Sequence, residues 1–178
     1  GRIAEGWRTR ITVAESRDIY DTLSSASAFA SLGPIESKIR QIGWENTVAT
    51  PLGMALVLLE RQTEKVSRPG QPFSVSERDI DGLALGLNGG AGDHRWQASL
   101  RHDRNSQFGT QDTGALGYAY AITPAWRVAA SVGSSFVAPS FNQLYYPGFG
   151  NDQLLPEEGR QAEAHLRWTE GAHTLRAT

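Results

Sequence analysis

The sequence predicts an all-β fold of antiparallel strands that follow one another as a meander, and three observations predict it. Bulky and small side chains alternate with a period of two. Leu116, Tyr118, Tyr120 and Ile122 interleave with Ala115, Gly117, Ala119 and Ala121, and beyond residues 123–125 the alternation resumes as Trp126, Val128, Ala130, Val132 and Phe136. That is the pattern of an antiparallel hairpin. Connections alternate between long and short, and all eight prolines (Pro34, Pro51, Pro69, Pro72, Pro124, Pro139, Pro147, Pro156) fall in them, where no ladder hydrogen bond is lost. Finally, 19 Gly beside 5 Trp, 5 Tyr and 6 Phe favour strands and turns over helices.

Taken in order, the first strand is expected at 7–17, with Trp7, Thr9, Ile11 and Val13 on one face and Arg8, Arg10, Thr12, Ala14 and Ser16 on the other. Two arginines on the second face suit a wet lumen better than a dry core. A long connection, 18–34, follows, with room for a short helix over 26–32. The second strand, 37–48, groups Ile42, Trp44 and Val48, and a tight turn at 49–52 leads to the third, 53–66. There Val57 and Leu59 oppose Leu56 and Leu58, so both faces are apolar and the facing stays open. After a Pro/Gly-rich connection at 67–76, Leu83, Leu85 and Leu87 mark a strand over 77–88. A turn at 89–93 leads to a strand at 94–102, with Trp96, Ala98 and Leu100 against Arg95, Gln97, Ser99 and Arg101. The hairpin already described comes next, then a long connection at 137–159. A strand at 160–168 sets Ala162, Ala164, Leu166 and Trp168 against Glu163, His165 and Arg167, and a ninth begins after Glu170-Gly171.

The bulky faces of the hairpin carry no charge from Leu116 to Ile122 or from Val128 to Phe136. A soluble β-sandwich would bury that face; a membrane barrel would turn it to lipid and give the small face to a lumen. The alternation alone leaves both open. Alternating long and short connections match the loops of outer-membrane barrels. Trp7, Trp96, Trp126 and Trp168 map to the same rim, beside the short turns, where an aromatic girdle belongs. The longest apolar run, Met54 to Leu59, is far below the roughly 18 residues of a membrane-spanning helix, a test that says nothing about strands.

Composition narrows function. With 17 basic and 19 acidic residues the formal charge is −2, which gives no electrostatic case for nucleic acid. Zero cysteines exclude thiol chemistry and a disulfide scaffold. The N-terminal GRIAEGW has no signal-peptide pattern, and the chain is expected to be a piece of a longer precursor. His94, His102, His165 and His173 are dispersed, Glu157-Glu158 reads as a solvated turn, and the glycine-containing stretches at Gly86 and Gly148 open no helix. Nothing in these patterns argues for an enzyme.

Three further stretches carry a resemblance: Asp103, Asn105, Ser106, Phe108 and Gly109 as D-x-N-S-x-F-G; SFVAPSFNQLY from Ser135, with Ala138, Pro139, Leu144 and Tyr145; and Gly150, Asn151, Leu155, Pro156 and Glu157 as G-N-x-x-x-L-P-E, followed by Glu163. In order and spacing they resemble the barrel of TonB-dependent outer-membrane receptors, most closely the cobalamin branch, although siderophore receptors share part of the pattern. The resemblance implies a fragment of an antiparallel transmembrane β-barrel, eight to nine strands of the roughly 22 in such transporters. Residues 1–178 then form part of one barrel domain, and the plug domain is absent. It implies a cell outer-membrane receptor taking up a scarce nutrient, cobalamin before a siderophore or haem. Its partners are the substrate, outer-membrane lipid and, through the plug, the TonB energy-coupling protein. It also implies calcium, with no other cofactor, in the outer loops. Asp18 and Asp21 are the candidate ligands, with Glu36 the best further carboxylate, since hard cations take clustered oxygens. Tyr20 and Asp81 are the candidate substrate contacts, near the outer strand ends; a solvated acidic loop and a strand-end turn are the competing readings of the same residues.

Overall fold

A computed structural model describes residues 1–21 and 33–178. The helix expected over 26–32 lies outside the described residues. Ten strands form one antiparallel sheet in sequence order: β1 (Arg2–Ala4), β2 (Trp7–Tyr20), β3 (Ile35–Thr50), β4 (Gly53–Ser67), β5 (Glu77–Ala91), β6 (His94–Asn105), β7 (Gly109–Ala121), β8 (Trp126–Val137), β9 (Glu157–Glu170) and β10 (His173–Ala177). One short helix, α1 (Phe141–Tyr145), lies between β8 and β9. No second sheet exists among the described residues, so the sandwich alternative fails. The structure adds β1 to the expected strands, and most of the others run longer than the alternation shows.

Register puts the bulky residues on one continuous face. Ile11, Trp44, Leu59 and Leu83 lie side by side across β2 to β5, and Leu116, Val132 and Ala162 across β7 to β9. This settles the third expected strand: Val57 and Leu59 join the bulky face, and Leu56 and Leu58 the other. Register decides it because Leu59 is the partner of Trp44, while local sequence left the two faces equivalent. The bulky face is uncovered, with Ile11 71% and Leu100 66% exposed. The opposite face, termed inner here, carries Gly82, Ala84 and Gly86 on β5 and Gly117 and Ala119 on β7.

At about 3.3 Å per residue the 16 residues of β3 reach roughly 50 Å, more than the ~30 Å hydrocarbon core needs even when tilted. The excess is visible chemically. Beyond Val13, Ile42, Leu59 and Leu83 the bulky face turns ionic: Glu15 pairs with Lys38 (2.9 Å) and Arg40 (2.8 Å), Arg17 with Glu36 (2.7 Å), Arg61 with Asp79 (3.3 Å), and Lys65 with Glu77 (2.9 Å). Exposed pairs of this kind add little stability, but they mark where lipid ends. At the other end stand Trp7, Trp96, Trp126 and Trp168, with Trp126 and Trp168 register partners whose rings lie 6.5 Å apart.

Connections at the tryptophan end are short, as expected. At the ionic end the connection between β6 and β7 departs from the alternation: it is a three-residue turn, 106–108, not a loop. The Asn105 side-chain oxygen accepts hydrogen bonds from the backbone of Gln107 (2.9 Å) and Phe108 (3.3 Å). Gly109 then takes φ +72, a left-handed conformation that costs glycine nothing. The connections 68–76 and 138–156 lie at this end, where β2 also ends at Tyr20 and β3 begins at Ile35.

Candidate functional site

The 138–156 segment does not stand free of the sheet. It folds back onto the inner face at the loop-bearing end, where Ile35 of β3, Val66 of β4, Phe73 of the 68–76 connection and Phe141 of α1 form a small buried cluster, with Tyr145 and Tyr146 against it. Leu144 is 2% exposed. The helix starts by reciprocal capping: the Ser140 hydroxyl accepts from the backbone N–H of Gln143 (3.3 Å), whose side-chain oxygen accepts from the Ser140 N–H (2.8 Å). Such a box satisfies two donors that a helix start leaves unpaired.

A buried arginine pins the segment to the wall. Arg78 of β5 is 6% exposed; its Nε donates to Glu64 Oε2 (2.9 Å) and its Nη1 to the carbonyl of Pro139 (3.0 Å). Its guanidinium stacks over Phe141 (5.1 Å) and lies 6.0 Å from the Phe108 ring. One side chain thus ties β4, the 106–108 turn and the 138–156 segment together, with the cation both hydrogen-bonded and face-on to aromatic rings.

The family-type residues fall into this assembly. Pro139 supplies the carbonyl to Arg78, and the Tyr145 hydroxyl accepts from Gln107 Nε2 (3.4 Å). A Cβ at Gly150 would lie 2.5 Å from the Leu144 carbonyl oxygen and 2.6 Å from the Tyr146 nitrogen, so the backbone can close there only around glycine. Asn151 donates its N–H to the Gln143 carbonyl (2.9 Å) and accepts from Gln153 (3.0 Å). Ser106 exchanges hydrogen bonds with the backbone of Asp79 (2.9 and 3.0 Å). Ala138 directly precedes the pinned Pro139, and Pro156 directly precedes Glu157, the first residue of β9. Asp103 lies lower on the inner wall, accepting from Arg101 Nε (2.7 Å); Arg101 Nη2 also donates to Glu60 (3.2 Å), which accepts from Gln41 (2.8 Å).

The remaining candidates are only partly brought together. Asp18 and Tyr20 stand on the inner face at the end of β2, opposite Ser37 and Ile35, and Asp21 follows directly. Glu36 does not join them: it lies on the other face, where it accepts from Arg17 Nε (2.7 Å) and Nη2 (2.8 Å). The described donor set for calcium is therefore two carboxylates, and among the described residues no group of three acidic or histidine side chains stands close enough to hold a metal. Asp81 shares the face of Leu83, beside Arg61 at 3.5 Å, and so points away from the inner wall. Sequence reasoning missed Arg78 and Glu64. Their signal was present, because Arg78 sits at the parity of Gly82 and Ala84, making it a charge on the small-residue face.

The sequence matches the family described as TonB dependent receptor-like, beta-barrel, over residues 19–178. A vitamin B12 transporter, BtuB, of Photobacterium profundum is 32% identical over 94% of this chain, and BtuB of Vibrio cholerae is 43% identical over 38% of it. The chain spans 27% and 11% of the length of these two relatives. Among solved structures, the siderophore receptor PirA from Pseudomonas aeruginosa superposes with a TM-score of 0.78 at 18% identity, over 93% of this chain and 33% of that one. The ferric enterobactin receptor PfeA from the same organism gives 0.75 at 14% identity, over 96% and 31%. With sheet, register and loop placement in agreement, the chain belongs to the TonB-dependent receptor β-barrel family of the Gram-negative outer membrane.

Proposed function

We propose that the receptor containing this chain takes up cobalamin across the outer membrane, with energy delivered by TonB through a plug domain encoded outside residues 1–178. The observation that carries the substrate is the 32% identity to a vitamin B12 transporter over 94% of the chain. The geometry supports a receptor whose outer loops are fixed to the lumen wall. Arg78 and the Phe141 cluster hold the 138–156 segment over the inner face, so a substrate entering between the loops meets an ordered surface. Tyr20 belongs to that surface as a substrate contact. Asp81, turned to the opposite face, serves Arg61 instead. Calcium at Asp18 and Asp21 is a separable part of the reading.

The test is uptake by cells carrying the intact gene. Labelled cobalamin should accumulate in an energy-dependent manner, and its binding should weaken on chelation of calcium and in Asp18→Asn. Uptake of an iron siderophore or haem without cobalamin binding would remove the substrate assignment, and cobalamin binding indifferent to chelator would remove the calcium.

A further inference from the structure

Arg68 is a second buried cation at the loop-bearing end, set where three pieces of chain meet. It directly follows Ser67, the last residue of β4, and is 6% exposed. Its Nε donates to the carbonyl of Gly33 (3.4 Å), two residues ahead of β3, and its guanidinium lies over the Tyr146 ring, 5.1 Å from the centroid. Tyr146 is the C-cap residue of α1, and its carbonyl accepts from the N–H groups of Phe149 (3.0 Å) and Gly150 (2.7 Å). The ring therefore moves with the 138–156 segment. Phe73, 6% exposed, meets the same ring edge-on, with centroids 6.3 Å apart.

The 68–76 connection thus grips Tyr146 with a cation and with an aromatic edge. A cation taken out of water over a ring is held more firmly than one at the surface, and an edge-to-face pair adds to what burial supplies. The base of the connection is itself closed, since the Val66 N–H donates to the Ser76 carbonyl (2.9 Å). On the other side, Ile35 packs with Val66, Phe73 and Phe141 and is the register partner of Tyr20. A displaced 68–76 connection would be felt at Tyr20 and in the 138–156 segment together. Its burial leaves Arg68 no surface to offer a substrate, so its influence passes through what it holds.

We propose that Arg68 and Tyr146 are positioning residues for substrate binding, which lock the lead into β3, with Tyr20 opposite it, and the 138–156 segment into one surface before substrate arrives. The proposal rests on the receptor reading above and adds how its binding surface is held. Loops that become ordered only on binding subtract that ordering from the affinity, whereas a surface already assembled does not. Loss of the lock should therefore appear in affinity and in coupling between contacts, and not in the rate at saturation.

The experiment measures binding and uptake of labelled cobalamin by cells carrying the full-length receptor. Arg68→Met keeps length and removes the charge; Tyr146→Leu keeps bulk and removes the ring. Each should raise the half-saturation concentration by about fivefold or more, the lower end for coupled sites, with the rate at saturation retained. Arg68→Lys, which keeps the charge without the planar fork, should fall between. Combining Arg68→Met with Tyr146→Leu should add little to either alone, and Tyr20→Ala should weaken binding less in the Arg68→Met background than by itself. Effects that multiply independently in both combinations overturn the proposal. So does unchanged affinity in a folded Arg68→Met receptor, with folding read from heat-resistant gel mobility; where that variant fails to insert, Tyr146→Leu, which alters no charge, carries the test. Hydrogen exchange needs no ligand: Arg68→Met should speed exchange at Val66, Gly150 and Asn151 together, and acceleration confined to Val66 overturns the lock. An unmodified receptor that binds no cobalamin removes the substrate assignment alone, and exchange still decides the lock.

Discussion

Arg78 is the residue whose loss would be felt most widely in the loop-bearing end. Its charge is buried, and its contacts reach three other segments: Glu64 on β4, the Phe108 ring of the 106–108 turn, and both the Pro139 carbonyl and the Phe141 face of the 138–156 segment. Removing one partner of a buried ion pair leaves the other uncompensated, at a cost of about 3 kcal/mol where burial is nearly complete. Glu64 is 17% exposed, so the penalty falls below that. Arg78→Ala should therefore leave the barrel assembled but free the 138–156 segment. Hydrogen exchange in the full-length receptor would show this as faster exchange at Leu144, Gly150 and Asn151, whose amides bond within the segment, with β5 to β7 unaffected. Uniform protection in the variant would mean that the Phe141 cluster alone holds the segment.

At the scale of a strand, the two faces have opposite tolerances. Leu85 lies on the bulky face between Val57 and Leu100, while Ala84 beside it faces inward opposite Arg101. A lysine on the lipid side of a barrel near the bilayer midplane costs about 2–4 kcal/mol, and substitutions in the lumen cost far less. Leu85→Lys should lower the urea stability of the full-length barrel in vesicles by that amount, and Ala84→Lys by under about 1 kcal/mol. Equal losses would contradict the facing. The same period of two made most of this sheet legible from sequence, because alternation needs no knowledge of neighbours. Two features did not follow from it. The facing of β4 depended on its register with Trp44, since Leu56 and Leu58 are as apolar as Val57 and Leu59. The 106–108 turn depended on the Asn105 side chain capping two backbone donors, a contact that the D-x-N-S-x-F-G spelling contains but does not announce. The pinned segment was visible only as a motif. Its contacts come from β3, β4 and β5, more than 60 residues away in the chain for Arg78 and Pro139.

At the scale of the whole molecule, the ten strands make a wall. Both faces of the sheet are open over most of their area, and among the described residues β1 and β10 pair only with β2 and β9. In water the bulky face would be an apolar surface of a size that soluble monomers avoid. In lipid, unpaired strand edges leave backbone groups unsatisfied at several kcal/mol each. Both difficulties vanish when the wall is closed with further strands into a barrel, with lipid outside, the ionic row above the hydrocarbon and the tryptophans at the opposite interface. The facing of the two surfaces is the claim on which the rest depends. Spin labels in the full-length receptor at Leu116, Val128, Val132 and Leu166 should relax with a lipid-soluble agent, and labels at Ala119 and Ser131 with a water-soluble one. Equal response of both sets to the water-soluble agent would contradict the assignment of lipid and lumen faces.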